Sequence, residues 1–92
     1  MGTKTQPFDI AVHLKTTEDI RAFLQEVAET GDETDFIHAL SVAARAKGMS
    51  EVASSAGVTR ASLYKSLSED GNPRFVTISK IVKSLGCKLA VV

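Results

Sequence analysis

Apolar residues recur at helical spacing in three long stretches of this chain. In TTEDIRAFLQEVAETG, Ile20, Phe23, Leu24, Val27 and Ala28 fall at i, i+3, i+4, i+7 and i+8, the stripe of a helix packed on one side. Thr17 is the expected N-cap, Glu18 and Asp19 suit the positive end of the helix dipole, and Gly31 stands just past the end. DETDFIHALSVAARAKG repeats the pattern with Phe36, Ile37, Leu40, Ala43 and Ala44, carries Arg45 and Lys47 in its last turn, and stops at Gly48. GNPRFVTISKIVKSLG puts Phe75, Ile78, Ile81, Val82 and Leu85 on one face, with Asn72 as N-cap, Pro73 in the first helical position and Gly86 as terminator. Near the start, FDIAVHL fits either a short strand or a single turn begun by Asp9, and we take the turn. The tail KLAVV is short, apolar and β-branched at its end, so it reads as a terminal strand that needs a partner.

Between the second and third long stretches lies MSEVASSAGVTRASLYKSL, residues 49 to 67, with two short helix-like runs on either side of Gly57. Each run is too short to be stable alone, so each must be braced by the other. Ser50 is expected to cap the first run, in which Val52 and Ala56 face inward and Ala53 is small enough for a second helix to approach. Gly57 can take the left-handed conformation that a tight turn needs, and Val58 plugs that turn. Thr59 caps the second run, where Leu63 and Leu67 face the core and Arg60, Ala61, Tyr64 and Lys65 remain outside. This size pattern fits a helix-turn-helix over residues 50–67 whose second helix reads the major groove. An ordinary helical hairpin would have no reason to gather Arg60, Tyr64 and Lys65 beside an alanine on its outer face.

Charge sharpens this picture. Formal net charge is zero, yet eight acids face three bases up to Ala44, and eight bases face three acids from Arg45 onward. Two halves of about minus five and plus five suggest two kinds of partner, although solvated helix faces of a neutral protein give the same totals. With 92 residues and 43 % hydrophobic content, the chain is expected to form one domain with a single modest core. It shows no apolar run long enough to span a bilayer and no signal-peptide core, so a soluble, cytoplasmic protein without membrane contact is expected.

Catalysis lacks parts. Cys87, His13 and His38 are the only cysteine and histidines, and no nucleophile, base and orienting group, metal set or phosphate loop can be assembled from them. Cys87 reads as a small filler beside Gly86, and His38 as a partly exposed packing residue; neither an enzyme, nor a cofactor, nor a metal site is expected. Chemistry instead assigns nucleic-acid roles. Arg60 suits a guanine edge with two hydrogen bonds, and Ala61 a thymine methyl. Lys65 suits phosphate, and Tyr64 either a phosphate hydrogen bond or packing of its ring beneath Arg60. Ser50, Thr59 and Ser62 are small polar groups suited to the sugar-phosphate backbone. Asn72 and Arg74, at the start of the third long helix, can meet the second wall of the groove, with Arg74 alternatively a solvated residue.

Residues 36 to 86 resemble the five-helix, lambda-repressor-like domain of the Xre/Cro family of helix-turn-helix regulators. The similarity extends over nearly the whole chain: PFD near the start, the run from ALSVAARAKG to SKIVKSLG, and above all SLYKSLSEDGNPRF resemble HigA-like antitoxins, the addiction-module antidote proteins. Met49 departs from the pattern, standing where Gln often begins the first helix, and so does Ser66, where an aliphatic residue is usual and Leu67 is expected to take over the packing. The resemblance implies an all-α domain with an N-terminal helical extension (1–33), a helical core (34–86) and a short C-terminal strand (87–92). It further implies a homodimer that represses its own operon by binding double-stranded operator DNA, and that neutralises a RelE-like toxin which cleaves messenger RNA. Two alternatives stand beside it, an Xre-type repressor with no toxin and a protein-interaction module using the acidic half.

Overall fold

The computed structural model describes residues 10–68 and 72–89. Its architecture is all-α, as the periodicity predicts. Among the described residues five α-helices follow one another: α1 (Thr17–Thr30), α2 (Glu33–Lys47), α3 (Met49–Ala56), α4 (Arg60–Ser66) and α5 (Phe75–Ser84), preceded by a 3-10 turn at Ile10–His13. That turn is the alternative preferred over a strand, and Asp9, its expected cap, lies outside the described residues.

Helix α2 forms the centre of the core. Ala39, Leu40, Val42, Ala43 and Ala44 are all buried in it, and their small volumes let α1 and α3 pack closely against its two sides. Ile20 and Leu24 of α1, Val52 of α3, Leu63 of α4, and Ile81, Val82 and Leu85 from the α5 end join the same apolar cluster. Packing of α3 on α5 closes it. Val42 and Ala39 lie outside the stripe named from the sequence, since a central helix buries more than one face. Ala28, placed on the inner stripe of α1, is exposed.

Caps explain where the helices begin. Thr16, not Thr17, is the N-cap of α1: its hydroxyl accepts a hydrogen bond from the Asp19 N–H at 3.1 Å, and the Asp19 carboxylate accepts one from the Thr16 N–H at 3.2 Å. Thr17 would have Ile20 three residues on, which cannot reach back, so the reciprocal box favours Thr16. Asp32 and Asp35 build a second box at the start of α2, with bonds of 2.9 and 3.1 Å. Gly48 ends α2 with φ 120° and begins α3 directly.

The C-terminal region corrects two expectations. Helix α5 starts at Phe75 behind an extended Arg74, so neither Asn72 as N-cap nor Pro73 as first helical residue holds. Its apolar stripe also runs on past the core: Ile81 and Val82 are buried, whereas Phe75 is 73 % and Val76 60 % exposed. Residues 87–89 form no strand; Ala90 to Val92 of the expected 87–92 strand lie outside the described residues. After Leu85 the chain turns through Gly86 at φ 82°, and the Cys87 N–H donates back to the Val82 carbonyl at 3.1 Å. The Arg21 guanidinium then donates to the Gly86 carbonyl at 3.1 Å, so α1 holds this turn, and no strand exists among the described residues to pair with the tail. Cys87 packs half-buried against the core, as a filler should.

Candidate nucleic-acid interface

Helices α3 and α4 have only eight and seven residues, and tertiary packing holds them. Met49, Val52, Ala53 and Ala56 are buried on the inner face of α3, Leu63 of α4 is fully buried, and Leu67 follows at 5 % exposure. Between them Gly57 takes the left-handed conformation, φ 73° and ψ 28°, and the Val58 N–H donates to the Ala53 carbonyl at 3.0 Å. Val58 tucks against the core at this turn. Thr59 then caps α4, its hydroxyl accepting from the Ser62 N–H at 3.0 Å. From Val52 to Leu67 these features match the sequence expectation.

Ser50 differs. Helix α3 begins at Met49 without a side-chain cap, so Ser50 lies in its first turn with the hydroxyl free to face α4. Gly48 supplies the reversal that a cap would otherwise mark, and burial of Met49 fixes the start of the helix two residues earlier than a Ser50 cap would. Met49 is therefore a core residue, which explains why an apolar side chain opens this helix.

The outer face of α4 presents Arg60, Ala61, Ser62, Tyr64 and Lys65, all exposed. Arg60 organises it. Its guanidinium carbon stands 5.6 Å from the centroid of the Tyr64 ring. One terminal nitrogen points to the Tyr64 hydroxyl and the other to the Ser50 hydroxyl, each at a long 3.4 Å. Of the two roles open to Tyr64 in the sequence, packing beneath Arg60 is the one seen in this geometry. The stacked pair narrows the conformations of the arginine while leaving its fork exposed. Asn72 and Arg74 are exposed just before α5, where Arg74 occupies the N-cap position with no hydrogen bond from its side chain to the helix. Ser50 and α4 thus form one connected group, and Asn72 and Arg74 a separate one just before α5.

The family description "Probable addiction module antidote protein" matches residues 4–92. The chain belongs to this family. Membership in the antidote family implies an antitoxin role and a toxin partner of some kind. An uncharacterized protein of Haemophilus influenzae (strain ATCC 51907 / DSM 11121 / KW20 / Rd) is 38 % identical to this antidote-family chain over 91 residues, covering 99 % of the chain and 94 % of that protein. No solved structure matches. Among the described residues, no helix of this family member is long and apolar enough to cross a membrane.

Proposed function

We propose that this antidote-family protein is a DNA-binding antitoxin: it neutralises a RelE-like, mRNA-cleaving toxin and, as a homodimer in the cytoplasm, represses its own operon. The observation that carries the DNA reading is the exposed Arg60–Tyr64 stack on α4, supported by Ser50, on a helix pair locked by Gly57 and Leu63. Such a pair is a helix-turn-helix of the Xre/Cro kind, with α4 entering the major groove. Arg60 then reads a guanine and Ala61 a thymine methyl, while Lys65, Thr59, Ser62 and Ser50 meet the backbone. Asn72, Arg74 and the first N–H groups of α5 meet the opposite wall.

Dimerisation follows from size. One module with one reading helix buries about 600 to 1,000 Å² on DNA, and specific sites usually need two such modules. Phe75, Val76 and Leu89 supply exposed apolar surface for the two-fold contact, on the last helix and the tail.

The test is direct. The full-length protein should retard a fragment of its own promoter with an affinity that falls steeply with salt. Its expression should also restore growth of cells producing the toxin encoded beside it. Promoter binding without growth rescue leaves a plain repressor, and rescue with no salt-dependent promoter binding leaves a protein-interaction module, the reading that the acidic first half favours.

A further inference from the structure

Opposite in character to the basic α4 face, an open groove of about 600 Å³ runs between the 3-10 turn, α1, the first half of α2 and the residues that follow α4. Phe23, Val27, Ile37, Val42 and Leu67 line it. Phe23, Val27 and Ile37 are only partly buried, so the groove exposes apolar surface that the core of the described residues leaves uncovered. Its rim is acidic. Asp35 lines the groove itself. At about 100° per residue, Asp19 and Glu26 fall beside the Phe23–Val27–Thr30 stripe, away from Ile20 and Leu24 of the core. Both are exposed. Among the described residues up to Ala44 there are seven acids against Lys15 and Arg21, so this half of the sequence carries an excess of negative charge.

We propose that this groove is the toxin-docking surface of the antidote, and that it receives an apolar segment flanked by lysines or arginines. The assignment rests on the antitoxin reading given above. Two features select this occupant. The uncovered aromatic and aliphatic side chains require an apolar insert. The acidic rim favours a basic partner, both in encounter rate and against wrong partners, and an RNA-cleaving protein has basic surface to offer because it must hold phosphates. A second copy of this chain fits poorly, since an isologous contact would set acidic rim against acidic rim.

The experiment uses the full-length chain and the product of the neighbouring toxin gene as probe. Glu26→Lys combined with Thr30→Lys reverses the rim at the end of α1, where cations suit the helix dipole, so folding should persist. Glu29→Lys is the comparison, because Glu29 lines a different groove, with Arg21 and Lys88. The double variant should associate with the toxin at least about tenfold more slowly at low salt, whereas Glu29→Lys should associate as the parent does. Hydrogen exchange in the complex should slow over residues 23–30 and 34–42. If the parent forms no complex with that probe, the antitoxin reading falls and this proposal with it. A complex that forms equally fast with the double variant, or protects other segments, overturns the groove alone and leaves the antitoxin reading standing.

Discussion

Arg60 stacked on Tyr64 is a restrained arginine on an exposed surface, and restraint is what a base-reading side chain needs. On the proposed operator, Arg60→Ala should therefore cost about 1 to 3 kcal/mol and relax preference at one base pair per half-site. Lys65→Ala should weaken all sequences alike and flatten the salt dependence, because phosphate carries charge without sequence. Both side chains are exposed and outside the core, so neither change should move the melting temperature. Titration of single-base operator variants at several salt concentrations separates the two; undiminished, fully selective binding by Arg60→Ala would reject the reader. The chemistry of these residues was apparent from the sequence, where an arginine, an aromatic and a lysine share an outer face. The contact from Arg60 to Ser50 was not, because it crosses the turn between two helices and depends on how they are set against each other.

Helix ends are where this chain uses glycine, and two of them make a measurable contrast. At Gly57 a Cβ would meet nothing within 4 Å, so Gly57→Ala should cost only the left-handed conformation, about 1 to 2 kcal/mol. Gly86 has the same constraint, at φ 82°, and a Cβ there would also lie 2.7 Å from the Thr17 methyl group. Gly86→Ala should therefore lower the urea midpoint more than Gly57→Ala, and adding Thr17→Ser, which removes that methyl, should recover part of the difference. A midpoint for Gly86→Ala no lower than for Gly57→Ala would contradict the close approach of the Gly86 turn to Thr17 of α1. Sequence reading located both glycines as helix terminators. It misplaced the starts of α1, α3 and α5 by one or two residues, since Thr17, Ser50 and Asn72 are all acceptable caps locally. For α1 a reciprocal Thr16–Asp19 box made the choice; for α3 it was burial of Met49.

Across the whole molecule, a net charge of zero hides an acidic first half and a basic second half, the division that the proposed docking groove and reading helix would use. Solution assembly offers the broadest test of that arrangement. At micromolar concentration the protein should sediment as a dimer, and Phe75→Ser with Val76→Ser should shift it toward monomer and weaken operator binding. Both residues are largely exposed in the single chain, so its far-UV helix content should be unchanged. An intact monomer refutes the dimer, and a dimer insensitive to both changes moves the two-fold contact elsewhere.

By itself the sequence determined five helices in order, the left-handed turn at Gly57, the inward Leu63 and the outward Arg60, because these follow from local periodicity, size and backbone freedom. Tertiary structure alone decided how far each stripe is buried. Phe75 continues the stripe of Ile78 and Ile81, yet it remains exposed, because burial depends on what lies opposite rather than on spacing along the chain. The tail shows the same physics at greater range. Residues 87–89, where the expected strand begins, form none: Arg21 reaches 65 positions along the chain to hold the Gly86 carbonyl, and a strand needs a neighbouring strand that the described residues do not provide.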